Sequence, residues 1–258
     1  MNYEGFKAQV LAITGVNLSA YKENQMKRRI DALIKKNMCD GYDEYVKVLK
    51  TDFKSREDFL AYLTINVTEF FRNPSQWEVL EQQIFPLLLQ KIGHIKIWSA
   101  ACSTGDEPYS IAMTLSKLMP TSQIQILATD IDKEVLAKAQ EGFYISKSLV
   151  NLPKSFQEKF MMPVEGGYRI KDEIKRCSTF KQHNLLKDPY PTGMDLIVCR
   201  NVLIYFTEEA KREIYTNFNR ALVDEGILFV GSTEQIIMCQ DFGFEPNKIF
   251  FYQKIKRV

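Results

Sequence analysis

The sequence predicts an α/β protein with a mostly parallel sheet, preceded by a small all-helical domain. After residue 93, short apolar runs alternate with helical patterns, which is typical of parallel strands joined by crossover helices. Before residue 72, apolar residues recur instead at helical spacing, and few of them alternate as strand residues do. We therefore expect a helical domain over residues 1–71 and an α/β domain over residues 72–258.

The first helix of the helical domain is predicted from Phe6, Val10 and Ile13, which recur at helical spacing. A second helix is predicted from an apolar stripe at helical spacing: Met26, Ile30, Leu33 and Ile34. Asp43 is placed to cap a third helix and Ser55 a fourth, because short polar side chains favour the position before a helix. Pro86 falls inside a further helical pattern and is expected to kink or restart it.

The α/β domain is predicted from four apolar runs: residues 95–98, 124–128, 196–199 and 227–230. Helical patterns separate them over residues 107–119, 133–141 and 208–222. Residues 242–253 are expected to form a hairpin that turns at Glu245-Pro246-Asn247. Residues 161–180, which contain Gly166-Gly167, interrupt the alternation and predict a small β insertion.

Composition excludes several classes of function. The 34 basic and 32 acidic residues leave a formal charge of +2, so no overall nucleic-acid-binding character is present. Five cysteines without a CxxC pair and two isolated histidines argue against a disulfide framework or a metal site. The start of the chain lacks the features of a signal peptide, and no apolar run could span a bilayer. We expect a soluble cytoplasmic protein.

The turn after the first predicted strand is the first candidate site. Small residues, Ser99 to Gly105, lead into a helix that has Pro108 in its first turn. Ligands of parallel sheets bind beyond the carboxyl ends of the strands, and small residues allow close approach to the backbone. Alone, the pattern fits an ordinary tight connection equally well, and the GxGxxG fingerprint is absent.

An acidic residue ends the second predicted strand. Asp130 lies where a carboxylate accepts hydrogen bonds from the ribose hydroxyls of a nucleoside. A cap or turn role is the alternative for Asp130, whereas Asp132 is expected to cap the helix that follows. Together with the preceding turn, Asp130 favours a nucleoside-containing cofactor.

Two further polar segments complete the candidate site. Arg200 and Asn201 directly follow an apolar run and should lie at the mouth of the cleft, with Tyr205 a few residues on. Structural roles are the alternative, with Asn201 stabilising the turn and Tyr205 packing in the core. At the domain junction, polar residues alternate with aromatic ones: Asn66, Thr68 and Arg72. Spacing alone leaves open whether Arg72 is functional or a surface ion-pair partner.

In this order, the motifs Asn66-x-Thr68-x-Phe70-Phe71-Arg72, WSAACSTGDEPYS, ATDID and CRNVLIYF resemble those of the CheR-type chemotaxis receptor glutamate O-methyltransferases. The resemblance covers nearly the whole chain. It implies a seven-stranded class I methyltransferase sheet, S-adenosylmethionine as methyl donor and S-adenosylhomocysteine as product. The implied activity is methylation of glutamate side chains on methyl-accepting chemotaxis receptors for sensory adaptation.

The resemblance also implies the roles of individual residues. Arg72 and Tyr205 correspond to the pair expected near the transferred methyl group. The implied cofactor contacts are Asn66, Thr68, Arg72, Glu107, Asp130, Asn184, Leu185, Arg200 and Asn201. No metal is implied.

A basic helix is the implied docking element for the receptor's helical bundle. Between residues 21 and 36 six basic residues outnumber two acidic ones. The expected docking residues are Lys27, Arg28, Arg29, Lys35 and Lys36. Glutamate-rich receptor segments would be attracted to this charge, although a solvated helix face is the alternative. Neither nucleic acid nor direct membrane insertion is expected, and a receptor-peptide tether at the β insertion is not assumed.

Three other functions stay open from the residues alone. A nicotinamide-dependent oxidoreductase shares the strand–turn–helix and the acidic second strand, but the missing glycines argue against it. A methyltransferase acting on another substrate is the second. The third is a receptor-binding adaptor that senses S-adenosylmethionine without turnover.

Overall fold

The computed structural model describes residues 1–64, 66, 68–92 and 95–256. The chain divides into two compact units. The N-terminal unit comprises Met1–Asn66 and Leu203–Ile214, and the C-terminal unit comprises Val67–Val202 and Tyr215–Val258. Each unit has its own internal packing.

The N-terminal unit is helical, as predicted. Its helices are α1 (Tyr3–Thr14), α2 (Glu23–Lys36), α3 (Tyr42–Thr51) and α4 (Phe53–Leu63). Phe59 is fully buried, with its ring centroid 6.4 Å from that of Phe6 and 6.1 Å from that of Tyr45. The apolar stripe predicted for the second helix faces inward. An aromatic core therefore joins α1, α3 and α4.

Two of the predicted helix caps are wrong. Helix α3 begins after Gly41, whose φ of 87° makes the entry turn, so Asp43 lies in the first turn instead of capping it. Helix α4 is capped by Asp52, whose carboxylate accepts N–H bonds from Lys54 and Ser55 at 3.1 and 3.0 Å. Both helices begin several residues before the apolar positions on which their prediction rests, Tyr45 in α3 and Phe59 in α4. The predicted caps therefore fall inside the first turns.

The segment Leu203–Thr207 belongs to the N-terminal unit and is fixed there by its backbone. Lys22 N–H donates to the Tyr205 carbonyl at 2.9 Å, and Thr207 N–H donates to the Ala20 carbonyl at 2.8 Å. The rings of Tyr21 and Phe206 lie 4.8 Å apart between these bonds. Tyr205 therefore has a defined backbone position next to the start of α2.

The C-terminal unit contains the predicted α/β architecture. Its strands are β1 (Lys96–Ala100), β2 (Gln125–Asp130), β3 (Phe143–Tyr144), β4 (Met161–Val164), β5 (Gly167–Ile170), β6 (Ser178–Gln182), β7 (Met194–Cys199), β8 (Leu222–Val230), β9 (Phe244–Lys248) and β10 (Phe251–Lys254). The helices after α4 are α5 (Pro74–Val79), α6 (Phe85–Ile92), α7 (Asp106–Leu115), α8 (Lys133–Glu141), α9 (Lys154–Phe160), α10 (Asp172–Lys175) and α11 (Glu208–Ala221). The part of α11 up to Ile214 belongs to the N-terminal unit.

Among the described residues, seven strands form the large sheet in the order β6-β2-β1-β7-β8-β10-β9. The first five are parallel, and β10 and β9 are antiparallel, which confirms the mostly parallel sheet. Ser99 of β1 pairs with Ala128 of β2 on one side and Val198 of β7 on the other. The carboxyl ends of these three central strands therefore lie along one edge of the sheet.

Three details of the predicted α/β domain differ. The hairpin of β9 and β10 turns at Ile249-Phe250, while Pro246 pairs with Tyr252 within the edge strand, where its missing N–H is tolerated. Residues 178–182 form an edge strand of the large sheet, and the small antiparallel sheet has the order β3-β5-β4. Before Pro86 the helix widens into a π-helical turn, Leu80–Ile84, which accommodates a residue without an N–H.

All five cysteines are free thiols. Cys102, Cys177, Cys199 and Cys239 are buried, and Cys39, just after α2, is half-buried. Within the described ranges, no helix combines the length and apolarity needed to cross a bilayer. The same part of the chain contains no group of three or more His, Cys, Asp or Glu side chains able to hold a metal ion.

Candidate active site

The turn between β1 and α7 has an irregular backbone that the sequence alone did not reveal. Ala101, Ser103 and Gly105 have positive φ values of 66°, 49° and 88°. A Cβ at Gly105 would lie 2.9 Å from that of Ala139 and 3.1 Å from the Tyr109 ring, so only glycine fits there. The Cys102 N–H donates to the Thr129 carbonyl at 2.8 Å and ties the turn to the end of β2.

Asp130 organises this turn from the end of β2. One carboxylate oxygen accepts the Ser103 N–H at 2.9 Å, and the other accepts the Asp132 N–H at 3.0 Å. Burial raises the pKa of Asp130 to about 6, opposed by these backbone hydrogen bonds. Each oxygen keeps a further lone pair after one bond, so the turn role and the predicted ribose contact are compatible. The predicted cap is confirmed, because Asp132 accepts the Glu134 N–H at 2.8 Å.

The arrangement fits a nucleoside-containing cofactor at this turn. The Ser103 hydroxyl is buried and has no hydrogen-bond partner among the described residues, which leaves a polar group available for a ligand. Because residue 105 has no Cβ, the turn packs directly against Ala139 and Tyr109. An unpartnered buried hydroxyl on an irregular turn at a strand end is a feature of a ligand-binding turn.

The segment predicted to lie by the adenine is bonded directly to the end of β2. The His183 N–H donates to the Asp130 carbonyl at 2.9 Å, which places Asn184 and Leu185 next to that strand end. The Asn184 side-chain oxygen accepts the Leu186 N–H at 2.9 Å and stabilises the local turn. The Leu185 carbonyl accepts the Tyr190 hydroxyl at 2.8 Å. The structure therefore brings Asp130, Asn184 and Leu185 together.

Glu107 and Arg200 form a buried ion pair between α7 and the end of β7. Their closest charged atoms, Glu107 Oε2 and Arg200 Nη1, lie 3.6 Å apart, and Glu107 Oε1 accepts the Ser99 hydroxyl at 2.8 Å. Burial raises the pKa of Glu107, while the neighbouring guanidinium lowers it. Because each charge compensates the other, removing either partner would leave a buried charge unpaired.

The second terminal nitrogen of the Arg200 guanidinium, Nη2, donates hydrogen bonds to the segment that contains Arg72. It donates to the Arg72 carbonyl at 2.8 Å, to Gln76 Oε1 at 2.8 Å and to Asn73 Oδ1 at 3.1 Å. The Phe229 ring lies 4.8 Å from the guanidinium carbon. Arg200 thus positions the backbone of Arg72, and its predicted contact with the cofactor stays a prediction.

Arg72 has an unusually constrained backbone. Its neighbours Phe71 and Asn73 have φ values of 52° and 60°, a conformation that costs free energy for residues other than glycine. The Arg72 carbonyl also accepts the indole N–H of Trp77 at 3.0 Å, and the Phe71 N–H donates to the Ser110 hydroxyl of α7 at 3.2 Å. These contacts fix the main chain from which the Arg72 side chain projects.

Sequence reasoning missed two buried carboxylates. Asp106 accepts the Thr104 hydroxyl at 2.6 Å, and burial raises its pKa to about 6. Glu234, just after β8, accepts the backbone N–H of Asn201 at 2.5 Å. The position of Asp106 between Gly105 and Glu107 was a usable signal, but no local pattern pointed to Glu234.

The other predicted site residues lie as follows. Thr68 is half-buried in the C-terminal unit. Asn66 and Tyr205 belong to the N-terminal unit, where the Asn66 amide donates to the Thr64 hydroxyl at 3.0 Å. The roles predicted for these three residues stay predictions.

Helix α2 presents most of its predicted docking residues to solvent. Lys27, Arg28, Lys35 and Lys36 are exposed. Arg29 differs, because its guanidinium lies 4.9 Å from the centre of the Tyr62 ring and donates to the Tyr62 carbonyl. Arg29 is therefore half-buried, and its predicted role in docking stays a prediction.

Comparison with known proteins identifies both parts of the chain. A family described as "CheR methyltransferase, SAM binding domain" matches residues 66–250, and one described as "CheR methyltransferase, all-alpha domain" matches residues 1–64. A chemotaxis protein methyltransferase of Listeria monocytogenes is 43% identical over 256 residues, covering 98% of this chain and 97% of that protein. A chemotaxis protein methyltransferase of Escherichia coli is 37% identical, covering 85% and 79%.

These matches cover both units and include the turn after β1, the end of β2 and the end of β7. They agree with the seven-stranded sheet and with the fit of the turn to a nucleoside-containing cofactor, which is S-adenosylmethionine. The chain therefore belongs to the CheR family of S-adenosylmethionine-dependent methyltransferases.

Proposed function

We propose that the chain transfers a methyl group from S-adenosylmethionine to glutamate side chains of chemotaxis receptors, forming glutamyl methyl esters that serve sensory adaptation. The observation that carries the proposal is the preorganised edge of the sheet within a CheR methyltransferase domain. There Asp130 and the Glu107–Arg200 pair lie at adjoining strand ends, and Arg72 is held by Arg200. The curated relatives named above are chemotaxis protein methyltransferases, which supports the receptor as substrate.

The residues proposed to contact the cofactor are those that the family resemblance implies. They are Asn66, Thr68, Arg72, Glu107, Asp130, Asn184, Leu185, Arg200 and Asn201. When bound, S-adenosylmethionine supplies an electrophilic methyl group on a positively charged sulfonium. Asp130 is positioned to accept hydroxyl hydrogen bonds, because backbone N–H groups fix both of its carboxylate oxygens.

The attacking group needs no general base. A glutamate with a reference pKa of about 4.3 is already ionised at neutral pH. The protein therefore has to orient a carboxylate and exclude water from the reacting pair. We assign the orienting role to Arg72 and Tyr205. Their contact must remain weaker than full neutralisation, because a tightly paired carboxylate is a poorer nucleophile.

Docking on the receptor is proposed for the exposed basic face of α2, formed by Lys27, Arg28, Lys35 and Lys36. A glutamate-rich helical bundle is a complementary surface for these charges. In this proposal the helical region, residues 1–71 in the division made from sequence, is the docking domain, and residues 72–258 are the catalytic domain. The protein acts in the cytoplasm and is recruited to membrane receptor arrays.

The proposal is tested by incubating the full chain with methyl-labelled S-adenosylmethionine and receptor cytoplasmic fragments. Label on glutamate that is released by mild base identifies a carboxyl methyl ester and supports the proposal. Cofactor binding without any label on the receptor fragments would favour the adaptor. Base-stable label, or transfer only to another class of molecule, would favour a methyltransferase with a different substrate.

A further inference from the structure

We propose that Glu234 is a positioning residue that holds Asn201 in place at the end of β7 and thereby sets the affinity for S-adenosylmethionine. The inference rests on the proposed role of Asn201 as a cofactor contact. Glu234 lies outside the motifs that carry the family resemblance, in the segment that follows β8.

One carboxylate oxygen of Glu234 ties two strand ends together. Glu234 Oε2 accepts the Asn201 N–H at 2.5 Å and the Gly231 N–H at 2.9 Å. Strands β7 and β8 are parallel neighbours whose last paired residues are Cys199 and Val230, so both donors lie just beyond the sheet. The Glu234 N–H donates back to the Gly231 carbonyl at 3.0 Å and closes the turn.

The tie fixes the conformation of Asn201. Its φ of 61° is a left-handed value, which asparagine adopts more readily than most residues, and the bond to Glu234 holds the residue in this one conformation. Glu234 is only 5% exposed, so the bonds form away from water. Without the carboxylate, the N–H groups of Asn201 and Gly231 would lose their common acceptor. Asn201 would then be free to relax toward a more ordinary backbone conformation.

Gly231 leaves the room that the carboxylate occupies. A Cβ there would overlap Glu234 Oε2 and lie 2.9 Å from the Asn201 nitrogen. The Glu234 carboxylate can therefore occupy its position only because residue 231 is glycine. Two independent substitutions, at Glu234 and at Gly231, should displace the same backbone N–H of Asn201.

The first test measures binding of S-adenosylhomocysteine by calorimetry and thermal unfolding of the full-length chain. Glu234→Ala should weaken binding by roughly 10- to 100-fold, the range that corresponds to losing hydrogen bonds to a charged group. Glu234→Gln should recover most of the affinity, because one amide oxygen can accept both N–H bonds as Oε2 does. In turnover assays with receptor fragments, Glu234→Ala should raise the KM for S-adenosylmethionine more than it lowers kcat.

Lys254→Met is the matched control. Lys254 is buried near the opposite end of β8 and donates to the Leu222 carbonyl at 2.7 Å. Its loss removes a buried hydrogen bond from the same strand and should lower the unfolding temperature while leaving the affinity for S-adenosylhomocysteine unchanged. If Glu234 acted only through the stability of the fold, affinity would follow stability. Glu234→Ala and Lys254→Met would then lose affinity in proportion to the fall in their unfolding temperatures.

Gly231→Ala tests the inference where Glu234→Ala does not fold. It should weaken S-adenosylhomocysteine binding, because the added methyl group displaces the carboxylate from Asn201. Wild-type affinity in folded Glu234→Ala, or in folded Gly231→Ala, would overturn the inference. If the unmodified chain bound S-adenosylhomocysteine but did not methylate receptor fragments, the proposed function would fail while these binding comparisons still stood.

Discussion

The strand-end edge of the C-terminal unit and helix α2 of the N-terminal unit use charge in opposite ways. At the strand ends, charged groups are buried and bonded to defined atoms, as in the Glu107–Arg200 pair and the Asp130 carboxylate. On α2, Lys35 and Lys36 are exposed, and among the described residues no ion pair is seen for either of them. In the proposed function, the position of each charge matters in the first region, whereas net charge matters in the second.

This difference separates two kinds of experimental response. Buried, bonded groups are little screened by salt, and their removal changes chemistry or cofactor binding. Exposed charges act through a long-range field, and their removal changes association with a charged partner in a salt-dependent way. The following predictions test the contrast, from the largest expected effect to the smallest.

Replacing Arg72 should have the largest effect. Arg72→Ala is expected to lower kcat on receptor fragments by at least about 100-fold, because the orienting group for the carboxylate is lost. Initial rates at saturating S-adenosylmethionine, together with circular dichroism, measure the effect and check the fold. Arg176→Ala, at a side chain 81% exposed in the same unit, is the control and should retain full activity. Near-normal turnover of Arg72→Ala would remove Arg72 from the catalytic pair.

Protonation of Asp130 should make cofactor affinity depend on pH. Burial raises the pKa of Asp130 to about 6, and only the ionised carboxylate accepts hydrogen bonds from two hydroxyls. Affinity for S-adenosylhomocysteine should therefore rise as pH increases through about 6 and be about tenfold weaker at pH 5 than at pH 7. Calorimetry across this range measures the effect.

The control for this pH dependence is the neighbouring buried acid. Asp130→Asn should bind weakly and with a flat pH profile, whereas Asp106→Asn should keep the dependence, although burial raises the Asp106 pKa to a similar value. A flat profile for the unmodified protein would contradict the assignment of Asp130 to the cofactor.

Reversing charge on α2 should affect receptor association alone. The double variant Lys35→Glu/Lys36→Glu is expected to raise the KM for receptor fragments by roughly 5- to 10-fold at low ionic strength, with the difference narrowing as salt is added. The affinity for S-adenosylhomocysteine should stay unchanged. Lys47→Glu/Lys50→Glu makes the same change in net charge at exposed positions of α3. Equal effects of the two pairs would show that overall charge, and not the basic face, attracts the receptor.

Loosening the backbone of Arg72 should have the smallest effect. Trp77→Phe keeps an aromatic ring but removes the indole donor to the Arg72 carbonyl, which the Arg200 guanidinium still contacts. We expect kcat to fall by roughly 3- to 5-fold, the range of a single hydrogen bond. Tyr252→Phe, which removes the hydroxyl that accepts the Ile236 N–H, is the control for loss of a buried hydrogen bond elsewhere in the unit. A larger kcat loss in Tyr252→Phe would contradict the special role of the Arg72 carbonyl.

The features found from sequence are those with a local pattern. The alternation of apolar runs and helices predicted the parallel sheet, and Asp132 before a helical pattern predicted a cap that the structure confirms. Pro246 misled the prediction of the hairpin turn, because proline is common in turns but is also tolerated in an edge strand. Local patterns therefore identify elements better than they identify the residues at which elements end.

The contacts that position the site could not be found from local patterns. The bond from Arg200 to the Arg72 carbonyl joins residues 128 positions apart, and the bond from Asn201 to Glu234 joins residues 33 apart. Nothing in the spacing of such residues encodes their partner, since the folded sheet alone brings them together. Arg29 shows the converse, because a residue that belongs to a basic run by sequence is half-buried against the Tyr62 ring.

Four of the five cysteines are buried and one, Cys39, is half-buried, so the protein is suited to fluorescence measurements of docking with a label on a single thiol. Burial raises the pKa values of Cys102 and Cys199 well above the usual value for a thiol, so these two side chains resist alkylation. Cys39, the least buried of the five, lies three residues beyond the last lysine of α2. Burial and the nearby Glu44 raise the pKa of Cys39 as well, but its partial exposure makes it the thiol that a maleimide fluorophore should reach first, without any engineered substitution. Its emission would report the arrival of a receptor fragment beside the basic face.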